Sequence, residues 1–117
     1  MYNPVSTYRI QFQKFFSFTD FEKIIEYLQK LGVSTIYASP VFESTSQSVH
    51  GYDVHNPHNI NPEIGTREQV LNISKQLQEN EMGWLQDIVP NHMAFHTGNK
   101  WLMDVLEKGN HSVCFLL

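Results

Sequence analysis

Asp87-Ile88-Val89-Pro90-Asn91-His92 is the stretch that decides how this chain is read. It follows Met82-Gly83-Trp84-Leu85-Gln86, so a largely apolar run gives way to polar groups at its end. Pro90 has no N–H to offer a neighbouring strand, and the strand is therefore predicted to finish at Val89, with Asn91 and His92 on the loop beyond it. Polar side chains just past the carboxyl end of a buried strand are where an α/β barrel places its chemistry.

Upstream, the pattern alternates between strand and helix. Thr7 to Phe12 mixes β-branched and aromatic residues and reads as a first strand. Thr19-Asp20-Phe21-Glu22 has the form of a capping box, with Thr19 as N-cap and Glu22 reaching back to its amide. Phe21, Ile24, Ile25, Leu28 and Leu31 then recur at helical spacing, and Gly32 stands where a helix stops. Val33 to Ser39 is nearly all apolar, as suits a parallel strand buried on both faces, and Pro40 ends it. Val41 to Gly65 reads as a long loop rich in Ser, Asn, His and Pro, a length that usually signals function. Thr66-Arg67-Glu68-Gln69 forms a second capping box for a helix reaching Glu79, with Val70, Ile73 and Leu77 inward. Gly83 to Val89 is the third strand, and a short helix is expected from Lys100 to Glu107. The order βαβαβ implies three neighbouring parallel strands.

Composition narrows the class. The chain has 117 residues, of which 41% are hydrophobic and 13% aromatic, enough for a packed core. Eight basic and twelve acidic side chains give a net charge of −4 without a basic block, so neither nucleic acid nor an anionic membrane is an expected partner. No stretch approaches the ~20 apolar residues of a membrane span. The start carries no basic segment followed by an apolar one, and Cys114 is alone, so a cytoplasmic protein without an internal disulfide is expected. Six histidines invite a metal reading, but they lack the HExxH spacing and the Cys/His pairing of zinc sites, and none is expected.

A second group of motifs joins the first: His50-Gly51-Tyr52-Asp53-Val54 and Ile60-Asn61-Pro62-Glu63-Ile64-Gly65. With Thr7-Tyr8-Arg9-Ile10-Gln11-Phe12, Leu31-Gly32-Val33-Ser34, Tyr37-Ala38-Ser39-Pro40 and Trp101-Leu102-Met103-Asp104-Val105-Leu106-Glu107, these make the chain resemble the N-terminal part of the maltooligosyl trehalose synthases, within the α-amylase superfamily. The resemblance runs from about Thr7 to about Gly109. Its Asp-x-x-x-Asn-His element is shared across the superfamily, whereas the other pieces look specific to the synthases.

The resemblance implies an α/β fold, the N-terminal βαβαβ part of a (β/α)8 TIM barrel. A whole barrel needs roughly 250 residues, so a fragment is expected. Residues 1–96 would hold its first three strands and two helices, and 97–117 the start of a subdomain inserted after the third strand. The tail from Asn110 follows the family pattern poorly, and Cys114-Phe115-Leu116-Leu117 looks like an exposed apolar stub, as a truncated or frameshifted frame would leave.

The activity implied is conversion of the reducing-end α-1,4 bond of a maltooligosaccharide or α-glucan to α,α-1,1, through a covalent glycosyl-enzyme and without a cofactor. No catalytic residue is expected here, because the family's nucleophile and acid/base lie at later strand ends. Asp87 matches a carboxylate that supports the active site, and His92 a histidine touching a glucose hydroxyl. Tyr52 matches an aromatic platform under the same sugar, and an aromatic ring suits the apolar face of glucose. Asp53 matches a carboxylate holding sugar hydroxyls. His50 is near enough to join that network, and Asn91 is read as shaping the loop. Asn56 departs from the family, which usually carries aspartate there.

Asp53 and Asp87 could instead be the carboxylate pair of a retaining glycosidase, which would have to sit about 5 Å apart; the resemblance speaks against this. The remaining alternatives are a fragment of another hydrolase or transglycosidase of the superfamily, or a noncatalytic α-glucan-binding remnant. With the edges of a parallel sheet unpaired, the chain alone is expected to be poorly soluble and inactive.

Overall fold

A computed structural model describes residues 3–115; Leu116 and Leu117 of the apolar tail lie outside the described residues. The elements run β1 (Thr7–Ile10), α1 (Phe18–Glu22), α2 (Ile25–Lys30), β2 (Thr35–Ala38), β3 (Phe42–Ser44), β4 (Val54–Ile60), α3 (Arg67–Glu79), β5 (Gly83–Gln86) and α4 (Lys100–Lys108), followed by a 3-10 turn at Gly109–His111.

The sheet has the expected parallel order, β1-β2-β5. Its register sets Arg9 beside Tyr37 and Tyr37 beside Leu85, with Ile10, Ala38 and Gln86 in the next row. Because side chains alternate between faces along a strand, neighbouring rows have opposite fates. Ile10, Ile36 and Ala38 are buried under the helices. The Arg9-Tyr37-Leu85 row lies on the opposite face, where Leu85 is half exposed.

An aromatic cluster holds the helical layer to the sheet. Phe12, just past β1, meets Phe18 at 5.0 Å and Phe21 at 5.6 Å edge-on, and stacks on Trp84 of β5 at 5.9 Å. Ile25, Leu28, Ile73 and Leu77 complete the core from α2 and α3.

Helix boundaries follow their local chemistry, with one surprise. Thr66 caps α3 as expected: its hydroxyl accepts from the Gln69 amide at 3.2 Å, and the Gln69 side chain accepts from the Thr66 amide at 3.0 Å. Gly32 ends α2 with φ +92, the Gly32 amide donates to Gln29 and the Val33 amide to Leu28, which is a Schellman ending. The first helix, however, is capped by Ser17 and not Thr19. Asp20 accepts from the Ser17 amide at 3.0 Å, a hydrogen bond that leads in holding its carboxyl down to about 2. Thr19 and Glu22 turn outward to α3 instead: Thr19 accepts from Gln69, and Glu22 from Asn72 and Gln76. The helix also breaks between Glu22 and Ile25, and Leu31, expected inward, is the exposed C-cap residue beyond the end of α2.

Two other expectations are corrected. Val41 to Gly65 is no open loop, since β3 and β4 form an antiparallel hairpin in which Phe42 pairs with Ile60 and Ser44 with Val54, with irregularities between. The third parallel strand stops at Gln86, short of Val89, although the Asp87 amide still donates to the Ala38 carbonyl at 2.9 Å. Among the described residues, no helix is long and apolar enough to cross a membrane.

Candidate functional site

Three residues from distant parts of the chain meet at the carboxyl ends of the parallel strands. Asp87 follows β5 directly and is pinned by its amide to β2. Arg9 comes from β1, and its guanidinium donates to Asp87 Oδ2 at 2.9 Å and to the Tyr52 hydroxyl oxygen at 2.8 Å. The Tyr52 hydroxyl in turn donates to Asp87 Oδ2 at 2.6 Å, closing a triangle. Tyr37 lies beneath it, with the Arg9 guanidinium 4.3 Å from its ring centre.

The hairpin tip delivers Tyr52 through two restraints. Gly51 adopts φ +76, and a side chain there would come within 3.0 Å of the Pro40 carbonyl, so the backbone lies close against the end of β2. Gln11, just beyond β1, donates to the His50 carbonyl at 3.1 Å.

The triangle fixes charge states. The Tyr52 hydrogen bond, and then that of Arg9, hold the Asp87 carboxyl below its ordinary range. The same hydrogen bond to Asp87 leads in pushing the Tyr52 hydroxyl above its ordinary range. At neutral pH the site therefore holds a cation, an anion and a neutral phenol.

The other expected residues stand around this triangle in three arrangements. His50 stacks on Tyr52 with ring centres 6.0 Å apart, and its Nδ1 accepts from the Tyr52 amide at 3.0 Å. Asp53 accepts from Thr45 and Ser48 within the hairpin loop and lies 3.7 Å from His50 Nδ1. Asp53 and Asp87 thus belong to separate networks, the first internal to the loop. His92 is exposed, and its Nδ1 pairs with Asn91 Oδ1 at 3.1 Å.

His92 and Asn91 border a groove of about 720 Å³ between the hairpin and α4, whose walls include Phe42, Pro57, Trp101 and Leu102. Asn99 anchors the α4 side: it is buried, its Oδ1 accepts from the Leu102 amide at 3.1 Å, and its Nδ2 donates to the Ala94 carbonyl at 3.2 Å. The Ala94 amide reaches the Val54 carbonyl at 2.8 Å, and His96 stacks on His55 at 5.7 Å, so the segment after Pro90 is bound to β4. Among the described residues no group of three or more His, Cys, Asp or Glu side chains is arranged to hold a metal ion.

Arg9 and Tyr37 are the residues that sequence reasoning missed. The available signal was a single charged residue, Arg9, inside a strand otherwise made of Thr7, Tyr8 and Ile10.

Comparison with known proteins bears on this geometry. The family model for the α-amylase catalytic domain matches residues 21–112. The chain belongs to that family. In this α-amylase-family chain the likeness extends further along the sequence in particular relatives. A putative maltooligosyl trehalose synthase of Mycobacterium tuberculosis is 37% identical over 115 residues, covering 92% of this chain and 15% of that protein. The structure of maltooligosyltrehalose synthase from Arthrobacter ramosus superposes with a TM-score of 0.91 at 39% identity, over 96% of this chain and 15% of that one. A hypothetical maltooligosyl trehalose synthase of Sulfolobus tokodaii gives 0.88 at 42% identity, over 96% and 16%. The chain thus spans about 15% of the length of the curated synthase it matches.

Proposed function

We propose that this chain is the N-terminal part of a maltooligosyl trehalose synthase, an enzyme that turns the reducing-end α-1,4 bond of a maltooligosaccharide into an α,α-1,1 bond by intramolecular transglucosylation. The observation that carries this reading is the 37% identity to such a synthase over 92% of the chain. On this reading residues 1–96 supply the first three strands and two helices of a (β/α)8 barrel, and 97–117 open the subdomain inserted after the third strand. A cytoplasmic location is part of the same proposal.

In this reaction the glycosyl-enzyme must be attacked by the anomeric hydroxyl of the glucose just released, so that glucose has to be held while water is kept out. The residues here would form part of the pocket wall. Tyr52 offers a ring to the apolar face of the sugar, with His50 against its other side. His92, whose imidazole can both donate and accept, serves a sugar hydroxyl. Asn91 orients His92, Asp87 holds the Tyr52 hydroxyl, and Asp53 secures the loop and lies near enough to His50 to share its polar network. The carboxylates that break and form glycosidic bonds would come from later strands.

The test is to incubate the full-length protein carrying this segment with maltohexaose. Loss of reducing ends without matching release of glucose is expected. Appearance of new reducing ends would instead make it a hydrolase of the same superfamily, and no change in the sugar would leave a glucan-binding role.

A further inference from the structure

We infer that Arg9 is a positioning residue for this site: it holds Tyr52 and Asp87 in one arrangement, so that Tyr52 meets the sugar with its ring and keeps its hydroxyl for the protein. This rests on the function proposed above and concerns how that site is built.

A phenol has one proton to give, and that of Tyr52 goes to Asp87. The oxygen also accepts from Arg9, which leaves little hydrogen-bonding capacity for substrate. One face of the Tyr52 ring is against His50, so only the opposite face is left for a ligand. Without Arg9, Tyr52 and Asp87 would share a single hydrogen bond, about which the tyrosine could swing. Arg9 adds the third side of the triangle and removes that freedom.

The choice of arginine has a physical reason. Two separate nitrogens of one planar group reach two different acceptors, at 2.9 and 2.8 Å. The same plane lies 4.3 Å from the centre of the Tyr37 ring. An ammonium group keeps the charge but concentrates it at one point and has no flat fork to stack. A lysine ammonium has three donors, and the two acceptors lie only 2.6 Å apart, so it could reach both, but it cannot lie flat on Tyr37 and would leave their arrangement less fixed.

The experiment uses the full-length protein and the variants Arg9→Met, Arg9→Lys, Tyr52→Phe and Tyr52→Ala. For Arg9→Met, kcat on maltohexaose is expected to fall by up to about 100-fold, as misplacement of a contact group can cause. KM should change much less. Arg9→Lys should keep most of the loss in kcat. Tyr52→Phe keeps the ring and should be several-fold milder than Tyr52→Ala.

A readout independent of turnover is the pH titration of the Tyr52 ring carbon in protein labelled with 13C-tyrosine, assigned by its disappearance in Tyr52→Phe. In Arg9→Met this titration should shift to still higher pH, since a cation that favours the phenolate is gone. If it does not move, or if Arg9→Lys matches the wild type in kcat, the inference is overturned. An inactive wild type would defeat the proposed function alone, because the titration would still report whether Arg9 holds Tyr52.

Discussion

The Tyr52 hydroxyl lies 2.6 Å from Asp87 Oδ2, although 35 positions separate the two residues in sequence. That one bond ties the tip of the hairpin to the end of the third parallel strand. It adds to the contacts of Gly51 with Pro40, Gln11 with His50 and Arg9 with Tyr52 that hold the same tip.

Asp87→Asn should therefore cost stability as well as activity. The amide keeps the shape but gives Arg9 no anion, and Tyr52 a weaker acceptor. Leaving such partners incompletely satisfied costs roughly 1–3 kcal/mol, which urea denaturation of the full-length protein at neutral pH would register. The pH dependence has a definite sign. Folding depresses the Asp87 carboxyl, so its contribution is fully present above the unfolded value of about 4 and is lost as pH falls through the folded value. The gap between wild type and Asp87→Asn should narrow on acidification; a gap of constant size would show that the charge of Asp87 contributes nothing.

His92→Ala should behave in the opposite way. His92 is exposed, and the hydrogen bond it forms joins it to its neighbour Asn91. Stability should stay within about 0.5 kcal/mol of the wild type. Loss of a hydrogen bond to sugar should lower kcat/KM for maltohexaose by roughly 2–10-fold, the equivalent of about 0.5–1.5 kcal/mol. Unchanged steady-state kinetics would remove His92 from the substrate-binding set.

These residues were unequally legible in the sequence. Strand and helix order could be read because Gly32, Pro40 and Thr66 punctuate strongly periodic segments. The hairpin could not: β3 is three residues long, β4 carries Pro57 and two asparagines, and their pairing is irregular. Asp20 looked like the second residue of a box headed by Thr19, yet an aspartate three residues after Ser17 serves the same purpose one half-turn earlier. Arg9 was hidden for a different reason. A charged residue in a strand normally marks a solvent-facing position, and only the alignment of three strands with the hairpin tip brings acceptors to its guanidinium.

Gly65 marks the junction of the hairpin and α3. Its φ of +152 suits glycine, and a side chain there would stand 2.4 Å from Cδ2 of the fully buried Phe18 and 2.7 Å from the capping oxygen of Gln69. Gly65→Ala should thus disturb the aromatic core and the start of α3 together. A loss of roughly 1–3 kcal/mol is expected from overpacking, visible as a lower denaturation midpoint. Wild-type stability would mean that Phe18 can move aside without cost.

Asn99 connects the helix cap to the site, and its two functions can be separated. Asn99→Ala removes both the cap on Leu102 and the donor to Ala94. Loss of an N-cap costs about 1 kcal/mol, and the loop carrying His92 should loosen from α4, raising KM for maltohexaose. Asn99→Asp retains the cap, because its carboxylate still accepts from the Leu102 amide and favours the positive end of the helix, but it cannot donate to the Ala94 carbonyl. It should recover part of the helix stability, the rest being offset by a buried carboxylate oxygen facing the Ala94 carbonyl, while keeping the raised KM. If Asn99→Asp recovers both, the cap alone orders the groove, and the bond to Ala94 has no part in placing His92.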